Sequence, residues 1–192
     1  MIKELDSGRV LDQQDVHSDH FGEGITIWKD RVIQLTWRSR VAFEYEKATM
    51  KLIREIPYPR EGWGICHDDE LLIASDGSNL LFFLDPETLE TKKTVAVAFR
   101  GKDGTPQPLK YLNELEYWNG KVYANVWGKN FIVEIDPETG WVVGLLKASS
   151  IASRHLSENR DAVLNGIAVL QDRIFITGKL WASLYEVKIK KK

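Results

Sequence analysis

Seven residues with the chemistry of a small-molecule site stand at equivalent places in four similar stretches of the sequence. They are one carboxylate, two amides, one ammonium group and three tryptophans: Glu23, Asn113, Asn165, Lys179, Trp37, Trp63 and Trp127. An aromatic pocket with a few convergent polar groups is the usual form of a site for a small molecule. Each residue alone is more often part of a core or of the solvated surface, so the prediction depends on a fold that brings them together.

The elements that position these residues come from an internal repeat. Each copy has a polar opening, an apolar anchor residue, a turn about five residues later and an alternating strand. The anchors are 40, 50 and 52 residues apart, at Ile25, Ile65, Leu115 and Ile167. A third strand follows in each copy, ending twice in the turn sequence DPET, and a fourth run follows in three copies. Four short strands per unit of about 40 to 50 residues are typical of a β-propeller blade.

The repeat predicts where the candidate residues lie within each blade. Two residues before the anchors stand Glu23, Trp63, Asn113 and Asn165, and twelve after them stand Trp37, Gly77, Trp127 and Lys179. The strands of each copy form a hairpin, and one of the turns, Asn119-Gly120, is typical of a two-residue hairpin loop. Such a hairpin places position −2 opposite position +11, with +12 as a near neighbour across the ladder. Since the innermost strands of a propeller surround its central channel, we expect all these residues at one mouth of that channel.

We expect a single all-β domain, residues 1–192, built as a β-propeller of four-stranded blades. Full blades are predicted at 21–59, 61–98 and 112–148, the last blade at 164–189, and the outer strands of an incomplete first blade at 1–17. The inner strands of that blade would precede Met1, and the N-terminal fragment would supply the outer strand of the last blade, which removes a free sheet edge. A β-sandwich of hairpins is the alternative fold, but a sandwich does not require such a regular repeat.

The composition argues against several other kinds of site. The net charge is −2, with 26 basic and 28 acidic residues, so nothing favours nucleic acid or a membrane as a partner. The single cysteine, Cys66, excludes an internal disulfide and a cysteine zinc cluster. The four histidines have no metal-ligand spacing, and the sequence contains no glycine-rich phosphate loop or nucleophile elbow. We therefore expect neither a metal nor a cofactor, and no apolar run has transmembrane length.

Eight short motifs, in order along residues 2–189, make the chain resemble one enzyme family. HFGEGIT, QLTW, EGWGI, SDGS, LNELEY, YANVW, LNGIA and TGKLW are similar to the plant and bacterial type of glutaminyl-peptide cyclotransferase. The resemblance implies a five-bladed propeller that converts the N-terminal glutamine of peptides or proteins into pyroglutamate and releases ammonia without a metal. We expect a monomer if the propeller is complete, and the resemblance implies a periplasmic or secreted location.

The resemblance assigns roles to residues that the repeat had already selected. The family's site positions fall on Glu23, Trp37, Trp63, Asn113, Trp127 and Lys179. In the implied reaction the glutamine amine loses a proton and the leaving nitrogen gains one; Glu23 is the candidate relay, with a pKa raised by burial near tryptophans. Asn113 and Lys179 are the candidate donors to the oxyanion. The tryptophans would wall the pocket and exclude water, and Asn165 is a further candidate for substrate binding.

One departure from the family pattern leaves alternatives open. Family members have an earlier blade with segments like FTQGL and YESTG, which add polar side chains to the mouth, and this chain has no counterpart. We expect upstream residues outside this chain, an inactive shortened chain, or a four-bladed closure. A non-catalytic ligand-binding or scaffold propeller is a rival function, although it has no use for Glu23 and Lys179 together. A metal-dependent propeller lactonase or lyase would need several carboxylates or histidines at the mouth, where the repeat offers only Glu23.

Overall fold

The structure, a computed structural model, describes residues 2–155 and 159–190. Most of the regular structure in these residues is β-strand. The strands are β1 (Ile2–Lys3), β2 (Val10–Asp12), β3 (Gly22–Trp28), β4 (Arg31–Thr36), β5 (Val41–Glu46), β6 (Leu52–Pro57), β7 (Ile65–His67), β8 (Leu72–Ala74), β9 (Leu80–Leu84), β10 (Thr91–Ala96), β11 (Ala98–Arg100), β12 (Pro106–Pro108), β13 (Leu112–Trp118), β14 (Lys121–Val126), β15 (Phe131–Ile135), β16 (Val142–Lys147), β17 (Leu164–Leu170), β18 (Arg173–Gly178) and β19 (Tyr185–Val187). One turn of α-helix, α1 (Ser149–Ala152), and a 3₁₀ turn (Ser153–His155) lie between β16 and β17.

Each main sheet is an antiparallel meander of consecutive strands. We call β3–β6 blade 1, β7–β10 blade 2, β13–β16 blade 3 and β17–β19 blade 4. The innermost strands pack in chain order, with β3 beside β7, β7 beside β13 and β13 beside β17. The structure confirms the predicted all-β propeller, although blade 4 has three strands in the described residues. The four blades fit the four-bladed alternative, and the five-bladed ring stays a prediction.

Two of the inner hairpins close with a two-residue turn, and one of them is the Asn119-Gly120 turn that the sequence predicts. Asn119 and Gly120 both have positive φ angles, 51° and 74°, and so do Gln171 and Asp172, 50° and 64°. A two-residue type I′ turn needs left-handed backbone at both positions, and its twist matches that of the flanking strands. These turns therefore bring the two innermost strands of blades 3 and 4 together.

The core consists of side chains packed between neighbouring blades. Ile33, Ile65 and Leu72 lie between blades 1 and 2 and are at most 2% exposed. Leu115 and Val133 are fully buried between blades 2 and 3. Burying a side chain of this size contributes about 1.5–3 kcal/mol, so the interfaces between blades supply much of the stability of the fold.

A buried carboxylate also ties blade 1 to blade 2. Glu44 of β5 is 2% exposed and accepts hydrogen bonds from Arg31, at 3.0 Å, and from Arg54, at 2.9 and 2.7 Å. Arg31 also donates to the carboxylate of Glu87 at 2.8 Å, and Arg54 donates to the backbone oxygen of Glu87 at 2.9 Å. Glu87 lies in the turn after β9. Because the arginines compensate the buried charge, removing either side of the network would leave a charge without its partner.

The ladder near the candidate residues differs from the predicted register. In β3, β13 and β17 two residues face a single residue of the next strand, which is a β-bulge. The bulges are Glu23–Gly24 opposite Leu35, Asn113–Glu114 opposite Asn125, and Asn165–Gly166 opposite Thr177. Position −3 therefore lies opposite +11, where the regular ladder predicted position −2. The apolar alternation fixes only the regular part of each strand, so it carries no sign of the extra residue.

The N-terminal strands do not complete the last blade. β1 and β2 pair with each other in a separate two-stranded sheet, and in the described residues β19 pairs only with β18. The prediction that the N-terminal fragment supplies the outer strand of the last blade is therefore wrong. β1 and β2 are joined by a short turn, so their pairing closes a small loop, whereas pairing with β19 would close almost the whole chain.

Two connections between blades contain structure that the repeat does not predict. β11 pairs with β12 between blades 2 and 3, and α1 lies between blades 3 and 4. The part of the chain that the structure describes has no helix long and apolar enough to cross a membrane.

Candidate active site

Glu23 and Lys179 meet at one end of the inner strands, which we call the mouth. Glu23 sits in the bulge of β3, and Lys179 directly follows β18. Nζ of Lys179 donates to both carboxylate oxygens of Glu23, each at 3.0 Å, and the two side chains are 27% and 12% exposed. Burial raises the pKa of Glu23, and the hydrogen bond and charge of Lys179 offset only part of that rise. This is the direction that the sequence predicted, and it makes Glu23 a stronger proton acceptor than an ordinary surface glutamate.

Trp127 and Trp63 form one aromatic side of the mouth. Trp127 follows β14, and Nζ of Lys179 lies 5.2 Å from its ring centre, within cation–π range. Trp63 precedes β7, and its ring meets that of Trp127 edge-on with centroids 6.4 Å apart. The Trp63 ring has room because position +12 of blade 2 is Gly77, where a Cβ would lie 2.6 Å from the indole. A tryptophan from position −2 thus takes the space that Trp or Lys side chains take in the other blades.

Trp37 joins this wall through two residues that the sequence analysis did not select. Its indole N–H donates to Oε2 of Glu61 at 3.0 Å, and the same oxygen accepts the indole N–H of Trp63 at 3.1 Å. Phe21 stands edge-on to Trp37 with centroids 6.1 Å apart, and its ring lies 5.9 Å from Nζ of Lys179. These contacts complete a circle of side chains around the mouth.

Phe21 and Glu61 share a position in the repeat, four residues before their anchors. In blades 1 and 3 the bulge brings this position opposite +12. The backbone N–H of Trp37 donates to the carbonyl oxygen of Phe21 at 2.9 Å, and that of Trp127 donates to Tyr111 at the same distance. If the predicted strand pairing had included the bulge, position −4 would have been chosen as a site position from the sequence.

The two predicted amides differ in their surroundings. Asn113 occupies in blade 3 the bulge position that Glu23 occupies in blade 1, is 2% exposed, and has no hydrogen-bond partner for Oδ1 among the described residues. A buried amide oxygen is costly unless a ligand or water pairs with it, so its setting suits a binding role. Asn165 joins blades 3 and 4, because its Oδ1 accepts the backbone N–H of Glu114 at 3.4 Å.

Two further carboxylates lie next to Asn113, between blades 3 and 4. Oε2 of Glu114 accepts the backbone N–H of Ile167 at 2.8 Å, and Oε1 of Glu116 accepts that of Val169 at 2.9 Å. Burial raises the pKa of Glu116 to about 7. Burial, and then the charge of Glu116, raise the pKa of Glu114 well above its ordinary value. Position −1 is glycine in the other three blades, so this pair is particular to the junction of blades 3 and 4.

The mouth combines a buried base, a cation, an amide and aromatic walls. Such a set can enclose a small substrate, accept a proton from it and stabilise negative charge that develops on one of its oxygens. Within residues 2–155 and 159–190 no group of three or more histidine, cysteine, aspartate or glutamate side chains is placed to hold a metal ion.

The fold and the mouth define a propeller protein with an acid–cation pair enclosed by aromatic rings. Residues 2–189 match the family described as glutamine cyclotransferase, and the chain belongs to that family. It is 34% identical to the glutaminyl-peptide cyclotransferase of Arabidopsis thaliana over 97% of this chain, and it spans 58% of the length of that relative. The crystal structure of Myxococcus xanthus glutaminyl cyclase is similar with a TM-score of 0.82 at 39% identity, covering 90% of this chain and 74% of that one. These findings confirm the resemblance that the motifs indicated.

Proposed function

We propose that this protein converts the N-terminal glutamine of peptides or proteins into pyroglutamate and releases ammonia. The observation that carries the proposal is the Glu23–Lys179 pair, with 3.0 Å between Nζ and each carboxylate oxygen, at an aromatic mouth. Membership of the glutamine cyclotransferase family supports the choice of substrate. The reaction requires a base that accepts a proton and a cation that stabilises negative charge, and a carboxylate with a raised pKa beside an ammonium group supplies both.

The reaction is an intramolecular acyl transfer. The α-amine of the substrate attacks the γ-carbonyl carbon of its own side chain, a C–N bond forms, and the bond to the amide nitrogen breaks so that ammonia leaves. Because the nucleophile is tethered to the electrophile, holding the glutamine in a reactive conformation contributes much of the rate. Glu23 accepts the proton that the attacking amine loses and returns it to the leaving nitrogen, so that protons balance over the cycle.

Lys179 would have two partners in turn. Before the reaction it donates to Glu23, at 3.0 Å. When Glu23 takes the proton of the amine, its negative charge is lost and the attraction between the two side chains falls. Lys179 is then free to donate to the oxyanion of the tetrahedral intermediate, with the amide of Asn113 as the second donor.

The aromatic walls would favour cyclisation over hydrolysis. Trp127 lies against Lys179, and Trp63 and Trp37 continue the wall from it. These rings would keep water from the reacting carbonyl, where water would produce glutamate instead of the ring. The cation–π contact between Lys179 and Trp127, 5.2 Å, also holds the ammonium group on the mouth side.

The test is a coupled measurement of ammonia and peptide mass. The purified protein is incubated with a glutaminyl peptide, with its N-acetylated form and with no peptide, in the presence and absence of a metal chelator. We expect ammonia only from the peptide with a free N-terminus. Each peptide that releases one ammonia should lose the mass of one ammonia, and the chelator should not change the rate. A rate equal to that of the peptide alone, or strong chelator inhibition that zinc reverses, would contradict the proposal.

A further inference from the structure

We propose that Glu61 is a positioning residue that holds Trp37 and Trp63 in the orientation in which they receive the glutamine side chain; this inference rests on the proposed function. Trp37 belongs to blade 1 and Trp63 to blade 2. One carboxylate oxygen of Glu61 accepts both indole N–H groups, at 3.0 and 3.1 Å. An indole has a single N–H donor, so each ring commits its only hydrogen bond to this atom.

The link matters because Glu61 is the one side chain, among the described residues, that the structure shows hydrogen bonded to both rings. Trp63 contacts Trp127, and Trp37 contacts Phe21, but the ring contacts of the described residues include none between Trp37 and Trp63. The terminal torsion of a tryptophan side chain is broad and roughly two-fold. Turning either ring over would carry its N–H away from Glu61 and lose a charge-assisted hydrogen bond. Glu61 therefore selects one orientation for each ring.

The carboxylate is itself held on its outer side. Oε1 of Glu61 lies 3.6 Å from Nε of Arg38, and the guanidinium of Arg38 lies 3.8 Å from the centre of the Trp37 ring. The Arg38 and Glu61 side chains are 68% and 44% exposed, so their ion pair contributes little by itself. The two indole hydrogen bonds are the part that fixes the wall.

Glu61 orients the tryptophan rings of the pocket wall, whereas Glu23 transfers the proton. The hydrogen bonds and ion pairs of the Glu61 side chain run to Trp37, Trp63 and Arg38. Lys179 donates to Glu23 and makes no hydrogen bond to Glu61 in the described residues. A loss of Glu61 should therefore affect substrate binding more than the chemical step.

The kinetic test compares Glu61→Ala with Glu61→Gln. Glu61→Ala removes the oxygen that accepts both indole N–H groups, and we expect KM for a glutaminyl peptide to rise about tenfold or more, with a smaller fall in kcat. Glu61→Gln keeps a carbonyl oxygen in place and should restore part of the loss. Glu138→Ala is the control, because Glu138 is 79% exposed, pairs with Lys93 at 2.9 Å and lies in the turn after β15; its KM should equal that of the wild type.

A second measurement is independent of activity. The indole N–H signals of Trp37 and Trp63 are recorded by ¹⁵N–¹H NMR and assigned with Trp37→Phe and Trp63→Phe. Glu61→Ala should move both signals, and Glu138→Ala should move neither. If the wild type releases no ammonia, the proposed function fails, while the signals still decide whether Glu61 holds the rings. Unmoved signals, or moved signals with an unchanged KM in an active enzyme, would overturn the positioning role.

Discussion

Glu116 lies at the junction of blades 3 and 4, where its burial should make the free energy of unfolding depend on pH. Glu116→Gln should remove this dependence. Burial raises the pKa of Glu116 from 4.5 to about 7. The folded protein therefore binds this proton more tightly than the unfolded chain does. The stability that the bound proton contributes is fully present below pH 4.5 and is lost as the pH rises through about 7. At about 1.4 kcal/mol for each pH unit between 4.5 and about 7, the loss is at most about 3–4 kcal/mol.

The assay is urea unfolding of the wild type and the variant at pH 5 and at pH 8. Glutamine has nearly the same shape, can still accept the N–H of Val169, and carries no proton to lose. We expect the two proteins to be similar at pH 5 and the variant to be the more stable at pH 8, by up to about 3 kcal/mol. The charge of Glu116 also raises the pKa of Glu114, so part of the difference comes from the neighbour. Parallel stability curves for the two proteins between pH 5 and 8 would refute the reasoning.

Three other variants test separate features. Glu44→Ala leaves the guanidinium groups of Arg31 and Arg54 without their buried partner and should destabilise the fold by about 3–5 kcal/mol in thermal or urea unfolding, and a loss within 0.5 kcal/mol would contradict this. Gly120→Ala places a Cβ at a φ of +74° and should cost about 1 kcal/mol in the same assay; no loss would show that the turn relaxes. Trp127→Ala removes part of the wall and should raise KM for glutaminyl peptides, so an effect confined to kcat would place Trp127 in the chemical step instead.

The repeat and its turns made the blade architecture predictable from the sequence. Alternating apolar residues and the Asn119-Gly120 turn specify which strands pair and which face is buried, and the structure has both. The candidate pair Glu23 and Lys179 could be selected for the same reason, since equivalent positions in a radial repeat come to the same end of the channel. Glu23 comes from the inner hairpin of blade 1 and Lys179 from that of blade 4, and the fold brings their side chains within hydrogen-bond distance.

The details of the mouth could not be read from periodicity. A bulge adds one residue without changing the apolar pattern, so Phe21 was not selected although the bulge of blade 1 brings it opposite Trp37. Glu61 stands at the same repeat position in blade 2 and was missed with it. The pairing of β1 with β2 was also missed. The N-terminal segment resembles the third strand of another blade, but that similarity does not show which strand it pairs with. Glu114 and Glu116 look like ordinary solvated residues of an alternating strand until the neighbouring blade covers them.

The most direct test of the central claim is the turnover number of Glu23→Gln. The substitution keeps the size of the side chain and a hydrogen-bond acceptor for Lys179, but it cannot carry a proton between the amine and the leaving nitrogen. With an unfolding transition like that of the wild type, the variant should release ammonia from a glutaminyl peptide with a kcat lower by on the order of 10² or more. A kcat close to that of the wild type would contradict the account, because the proton relay would then lie elsewhere in the molecule.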